Sequence, residues 1–295
     1  MLGAAGAFTF RANFGAGASN TWYHAALADH VSQSDVDPGD PEVSAIFNAD
    51  VDETFCLGTR SWYYGYDGNA GQDIDLVSVV IHEIGHGLGF STVVSLGSGA
   101  KPSGLDDVYM VNLEDHSTGV MYPNMTDGQR LTASTDTGDL HWTGAAVTDF
   151  VDSNSALVFG DFLTDGFDPV SNHMEMYAPN PAEQGSSVSH YTNAATPNEI
   201  MEPSLSQPLH NLELTLALFE DIGWTGIIEC GDADRNGVRA ATDALIGLQT
   251  SVGAGSCLES LCDANGNGTV TATDALVMLQ GAVGQSVTWN CGLAG

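Results

Sequence analysis

Two histidines and a glutamate stand together at His82-Glu83-Ile84-Gly85-His86. On a helix, residues four apart lie one turn above each other, so both imidazoles can reach a single metal ion. Glu83 is offset so that it can meet a water bound to that ion. Zinc suits this set: it polarises the water, Glu83 takes the proton, and the oxygen attacks a peptide carbonyl. Glu83 can later pass the proton to the leaving amine. The bland alternative is a buried helix with two incidental histidines. Unpaired polar groups are expensive in so apolar a segment, and a metal accounts for their placement.

A catalytic zinc takes a third protein ligand and keeps one position open. Gly89 is placed to end the helix and let the chain swing back, but the next ligand position is Thr92, a poor neutral ligand. The third ligand must therefore come from farther away. His116, His141, His173, His190 and His210 are the candidates, with Asp and Glu as weaker options. His190 stands out by context, in Ser187-Val-Ser-His190-Tyr191 followed by Asn198-Glu199-Ile200-Met201-Glu202-Pro203. A methionine in a tight turn just beyond the last histidine would lay its thioether beneath the ligands without binding the ion. Tyr191 reads equally as a cleft residue or a packing aromatic. Asp67, Asp73 and Asp75 precede the helix, either as a calcium site or as capped turns.

The far end carries a second chemistry. Cys230-Gly-Asp232-Ala-Asp234-Arg-Asn236-Gly237 is echoed by Cys262-Asp263-Ala-Asn265-Gly-Asn267-Gly268, and the match runs on through Asp243 and Asp274 with a period of 31 residues. Such a repeat is a structural unit. Positions 1, 3 and 5 of each loop bear oxygens: Asp232, Asp234 and Asn236, then Asp263, Asn265 and Asn267. Position 6 is Gly, which permits the sharp bend, and Asp243 or Asp274 stands at position 12. With Val238 and Thr269 at position 7, each loop is expected to hold one Ca2+. Pairing Cys230 with Cys257 and Cys262 with Cys291 would staple each repeat. Four cysteines permit three connectivities, and all remain open. Cys56 is left over.

The elements that must position these groups are legible in places. Asp75 can cap a helix whose interior runs Leu76 to Leu88, stopping near Gly89. Trp22 to Val31 reads as an earlier helix capped by Thr21, with His24 and His30 as surface or packing residues. Val43 to Phe47 and Ser61 to Tyr66 read as strands, and Leu212 to Ile222 as a helix ended by Gly223. Between Ser95 and Asn180 the likeliest ordered pieces are Leu140 to Phe150 and Leu157 to Phe159. Helices Ala244 to Val252 and Ala275 to Val283 follow the two loops.

The chain has 295 residues, with 38 Asp and Glu against 6 Lys and Arg, and a formal net charge of -32. So acidic a surface excludes a non-specific grip on nucleic acid or on an anionic membrane. The 43% apolar content nonetheless supplies a core. No apolar run is long enough to span a bilayer. Lys101 is the only lysine, which with the acidity suits a salty environment. The cysteine-rich tail and its calcium-type loops favour export. Phe8-Thr9-Phe10 reads as strand at the very start, so an N-terminal portion of the domain, and with it a partner for Cys56, is expected to be missing.

Residues 1–226 resemble the leishmanolysin-like branch of the metzincin zinc peptidases, in particular its secreted bacterial members. The resemblance rests on His82 to Ser91 as H-E-x-x-H-x-x-G-F-S, on His190-Tyr191 after a long insertion, and on Asn198 to Pro203 as the Met-turn. Asp221-Ile222-Gly223-Trp224 and the stretch from Met125 to Gly144 add to it. It implies an α+β zincin fold, with a twisted mixed sheet over the active-site helix and an irregular, helical lower subdomain. It also implies His82, His86 and His190 as zinc ligands, Glu83 as general base, and Met201 as the floor of the site. Val43 to Asn48 would then be the edge strand that pairs with an extended protein or peptide substrate.

Residues 229–295 are similar to a dockerin, a small all-α module of two loop-helix units. That likeness implies a cohesin-like or cell-surface partner, although Ala241-Thr242 and Ala272-Thr273 differ from the Ser-Thr common at the contact positions. The expectation is a secreted, monomeric zinc endopeptidase with a calcium-dependent accessory module. The competing expectation is a non-catalytic binding or adhesion protein on the same scaffold.

Overall fold

The computed structural model describes residues 1–154, 163–205, 208–224, 230–234, 238–255, 257 and 259–291. Asn236 and Gly237 of the first loop, and the piece expected at Leu157 to Phe159, lie outside the described residues. The chain divides into two compact units, Met1–Val147 with Asp165–Trp224, and Thr148–Thr164 with Thr225–Gly295.

The chain opens with β1 (Gly3–Ala7), β2 (Phe10–Arg11), β3 (Thr21–His24), α1 (Ala25–Ser32) and β4 (Val43–Phe47). Then come α2 (Thr54–Leu57), β5 (Trp62–Tyr63), β6 (Ile74–Asp75) and the long α3 (Leu76–Leu88). After it follow β7 (Asp106–Asp107), β8 (Leu113–Asp115), β9 (Val120–Met121), α4 (Asp127–Ala133), β10 (Leu140–Trp142) and α5 (Ala145–Asn154). The series closes with β11 (Met174–Glu175), α6 (Glu213–Ile222), α7 (Ala241–Ser251), α8 (Glu259–Cys262) and α9 (Ala272–Ala282).

The protein is thus mixed α+β, but among the described residues its strands form four small sheets instead of the one expected twisted sheet. β1 pairs antiparallel with β4, Gly3 opposite Phe47, and both strands lie against α3. β2, β3 and β7 form a second sheet, and β5 and β6 a third. The largest is an antiparallel ribbon in the order β11-β10-β8-β9. Left-handed residues Asn13, Gly15, Gly17 and Asn20 shape the connection that turns the chain from β2 back onto β3.

The helix expected over Trp22 to Val31 begins only at Ala25. Thr21 to His24 is a strand paired on both edges, antiparallel to β2 and parallel to β7, and its aromatic Trp22-Tyr23 pair suits a pleated surface. His24 therefore ends a strand and is fully buried, with its ring bonded to Ser91 Oγ at 2.8 Å.

The first unit's core is aromatic. Phe90 packs on Tyr109 and Tyr191 with ring centroids 5.6 and 4.9 Å apart, and Tyr109 packs on Trp142 at 4.7 Å. Arg130, 2% exposed, spends its guanidinium on the carbonyls of Gly99, Tyr122 and Met125 and on Asp127.

In the second unit α7 packs on α9. Gly247 permits the approach, since a Cβ there would stand 2.9 Å from Met278 Sδ. Ala244, Leu261, Cys262, Ala264 and Met278 form its small core. The disulfides do not staple each repeat separately. Cys230 joins Cys291, and Cys257 joins Cys262. The extended segment before Cys291 returns beside the second loop, Asn290 N–H to Ala264 C=O at 3.0 Å, which brings Cys291 to within 5.4 Å of Cys230 between Cα atoms. Cys257 and Cys262, the latter at the end of α8, lie 6.0 Å apart by the same measure. Cys56 is free.

Candidate metal centre

α3 owes its limits to local chemistry. The Asp75 carboxylate accepts from Ser78 N–H at 2.7 Å, a side-chain N-cap, and His210 Nε2 lies 2.9 Å from the same oxygen. At the other end Gly89 takes φ 124°, a conformation that L side chains rarely adopt. This turn folds the Phe90 carbonyl back onto His86.

Three such carbonyls orient three imidazoles. Phe90 C=O accepts from His86 Nδ1 at 2.8 Å, Ile200 C=O from His82 Nδ1 at 2.7 Å, and Ser186 C=O from His190 Nδ1 at 2.8 Å. A carbonyl only accepts, so each ring carries its proton on Nδ1 and turns a bare Nε2 lone pair inward. The three Nε2 atoms lie 3.1, 3.2 and 3.2 Å from one another. Three lone pairs at that distance cannot bond each other. Tetrahedral zinc with Zn–N bonds of about 2.05 Å separates its nitrogens by about 3.3 Å, so the residues fit such an ion. Burial holds the His82 and His190 pKa values down and that of His86 at about 4, which keeps the rings neutral and able to ligate.

Met201 is fully buried under this set, and a Cβ on Gly85 would stand 2.7 Å from its Sδ. Val188, two residues before His190, holds φ 71°, a strained value for a β-branched residue. Two bonds secure it: its N–H to Tyr177 C=O at 2.7 Å, and Tyr109 Oη to its own C=O at 3.0 Å.

Glu83 and all three histidines line a cavity of about 550 Å³, together with Gly3 and Ala5 of β1. Burial pushes the Glu83 carboxyl above its usual range, and the Ala5 N–H, which bonds it, opposes the rise. β1 passes so close that a Cβ on Gly3 would stand 3.1 Å from Glu83 Oε1. Asn48 N–H donates to Leu2 C=O, and Phe8 N–H to Glu42 C=O. The even residues of β1 therefore face β4, and Gly3 and Ala5 turn their polar edge to the cavity. The strand that lines the cavity is β1, not the expected Val43 to Asn48. A second cavity of about 370 Å³ shares Ala5, His86, Gln184 and Gly185 with the first.

The remaining candidates go elsewhere. Tyr191 is buried and donates its hydroxyl to Leu214 C=O at 3.1 Å, a packing role. Thr92 bonds Asp107 at 2.7 Å. Asp67, Asp73 and Asp75 serve three separate backbone donors: Asn69 N–H in a turn, Ser61 N–H twelve residues away, and Ser78 N–H at the start of α3. His116, His141 and His173 gather with Glu114 in a cluster of their own. Sequence reasoning missed the three orienting carbonyls and the role of β1. Only Phe90, next to the helix-ending glycine, and Ile200, next to Met201, had any signal in their neighbours.

In the repeats, Asp243 accepts from Asp234 N–H and Ala240 N–H at 3.0 and 2.7 Å, and Asp274 accepts from Asn265 N–H and Thr271 N–H at 3.0 and 2.9 Å. Asp232, Asp243 and Asp274 are fully buried. Carboxylate oxygens of Asp232, Asp234 and Asp243 lie within 4.8 Å of one another, a group that could hold a metal ion. Among the described residues no helix is long and apolar enough to cross a membrane. Comparison with protein families, with curated proteins and with solved structures gave no match.

Proposed function

We propose that the chain is a secreted zinc endopeptidase of the leishmanolysin-like metzincin type, with a dockerin-like calcium module at residues 229–295. The observation that carries this reading is the trio of Nδ1-anchored imidazoles, His82, His86 and His190, whose bare Nε2 atoms converge in a cavity that Glu83 also lines. A bound zinc would lower the pKa of a water toward 7 and polarise a carbonyl oxygen. Glu83 accepts the proton of the attacking water, and its raised pKa suits it to hold that proton until the amine leaves. The two adjoining cavities along β1 suit an extended peptide, with the outward edge of Gly3 and the Ala5 carbonyl available for main-chain pairing. Met201 supports the floor, and the three carbonyls keep the rings in their ligating tautomer.

The calcium reading rests on the buried aspartates and their matching bonds in both loops, with Val238 and Thr269 lending backbone carbonyls. A partner for the tail is favoured by a stripe of exposed apolar side chains that the repeat duplicates: Leu245 and Leu276, Leu248 and Leu279, Val252 and Val283. Two disulfides favour an oxidising compartment.

The test is cleavage of unfolded casein by the zinc- and calcium-loaded protein beside Glu83→Ala. Wild type should cut, while the variant keeps its zinc and loses about 10²-fold or more in turnover. A folded wild type that binds zinc and cuts nothing would turn the reading toward a binding or adhesion protein.

A further inference from the structure

We propose that Glu114, His116, His141 and His173 form a second metal site, for a first-row divalent transition ion, independent of the peptidase reading. These residues lie on or next to neighbouring strands of the ribbon β11-β10-β8-β9. His141 on β10 stands directly opposite Glu114 on β8, so the two side chains share a face. His116 follows β8 by one residue, and His173 immediately precedes β11. Glu114 Oε1 lies 2.8 Å from His173 Nδ1 and 3.0 Å from His116 Nδ1. The four donors each offer an atom within 4.8 Å of the others.

His141 supplies the observation that a polar cluster alone leaves unexplained. Its ring is 2% exposed and stacks on His116 with centroids 4.5 Å apart. Its Nε2 bonds Gly138 C=O at 3.0 Å and so carries the proton. Its Nδ1 is therefore a bare lone pair, buried and without a hydrogen-bond partner. A buried acceptor left unmade is costly, and a cation among these donors satisfies it. His116 and His173 join the set by carrying their protons on Nε2, which frees both Nδ1 atoms without a net change of charge. Asp168, with Oδ2 3.9 Å from His116 Nε2, then faces that proton, the carboxylate–histidine arrangement common behind metal ligands.

Three imidazole nitrogens and one carboxylate oxygen select zinc, cobalt, nickel or copper over calcium and magnesium. His116, with 38% of its side chain exposed, leaves a path by which the ion exchanges. Glu114 and His173 are 59 residues apart in sequence, so the ion would clip the ribbon across that long excursion.

The experiment titrates the metal-stripped, calcium-saturated chain with Co²⁺ and counts bound equivalents by visible absorption and elemental analysis. Wild type should take two. His82→Ala/His86→Ala should keep one, and adding His173→Ala to it should leave none. Because three substitutions together could disturb folding, the exposed His116→Ala and the isosteric Glu114→Gln are run singly. Each should weaken one equivalent by at least about tenfold and leave the other unchanged. A single equivalent in wild type that His82→Ala/His86→Ala abolishes would overturn the proposal. So would two equivalents of unaltered affinity in both His116→Ala and Glu114→Gln. A single equivalent in wild type that survives in His82→Ala/His86→Ala would count against the peptidase centre and leave this site standing.

Discussion

Met201 Sδ occupies the space that a side chain on Gly85 would need: a Cβ there would stand 2.7 Å from the sulfur and 3.1 Å from Cε. Gly85 sits between the two helix histidines, so the glycine in this motif is a packing requirement of the floor beneath them. Gly85→Ala gains about 1 kcal/mol of helix propensity but must push a fully buried thioether aside. Met201→Ala leaves a cavity costing about 2–5 kcal/mol and clears that space. The two changes should couple: Gly85→Ala is expected to destabilise the wild type yet stabilise Met201→Ala. Urea unfolding of the four proteins reads a coupling of about 1 kcal/mol or more, and simple additivity would refute the contact.

On the proposed metal assignment, metal removal should act on the two units separately. A zinc-selective chelator leaves three inward lone pairs at 3.1–3.2 Å, so the transition of the first unit should fall in temperature and recover on adding zinc. A calcium-selective chelator should lower the transition of residues 230–291, where Asp232, Asp243 and Asp274 are buried. Scanning calorimetry with each chelator distinguishes the cases. Zinc at about a thousandfold above its Kd is worth roughly 4 kcal/mol by mass action. One common shift with either chelator would contradict the assignment of the metals.

What was legible in the sequence followed from how local each signal is. Asp75, His82, His86 and Gly89 span one helix, where spacing dictates geometry, so the cap, the shared face of the two histidines and the stop were all readable. His190 needed its neighbours, because nothing in residue spacing measures a loop of a hundred residues. The carbonyls of Phe90, Ile200 and Ser186 carry no signature in residue type, since every residue has one. Strand pairing is non-local: β4 was readable as a strand, but its hiding behind β1 was not. His116, His141 and His173 were rivals for one place until strand pairing gathered them with Glu114 elsewhere. The disulfides followed the same rule, since Cys230 meets Cys291 only because the chain returns past Ala264.

Asp221 should prove to be a main support of the first unit. Its Oδ2 accepts from Trp142 Nε1 at 2.9 Å and Val147 N–H at 3.2 Å, and its Oδ1 from Ala146 N–H at 2.7 Å. One carboxylate thus anchors the buried Trp142 and caps the first turn of α5. Gly144 has no room for a side chain beside it, a Cβ there standing 2.1 Å from Oδ2. Asp221→Ala strands an indole N–H and two backbone donors, a loss of about 2–4 kcal/mol. Asp221→Asn keeps one acceptor oxygen and should lose less. Equal stability of wild type and Asp221→Ala in urea would refute the anchor.

Glu202 makes a prediction about pH. It is 2% exposed and lines the same cavity as the three histidines. Burial pushes its carboxyl to about 7, although Glu199 N–H at 2.7 Å and Asn198 Nδ2 at 3.2 Å favour the ionised form. The ordinary value is 4.5, so between 4.5 and about 7 the folded chain binds more protons here than the unfolded one. The stability tied to that proton is full below 4.5 and is lost as pH rises through about 7. Glu202→Gln keeps the shape and cannot ionise. Relative to wild type, the variant should gain stability steadily between pH 5 and pH 8, whatever other groups titrate in both proteins. Urea unfolding of the pair across that range measures the difference directly. A constant difference would mean that Glu202 titrates as an ordinary carboxylate.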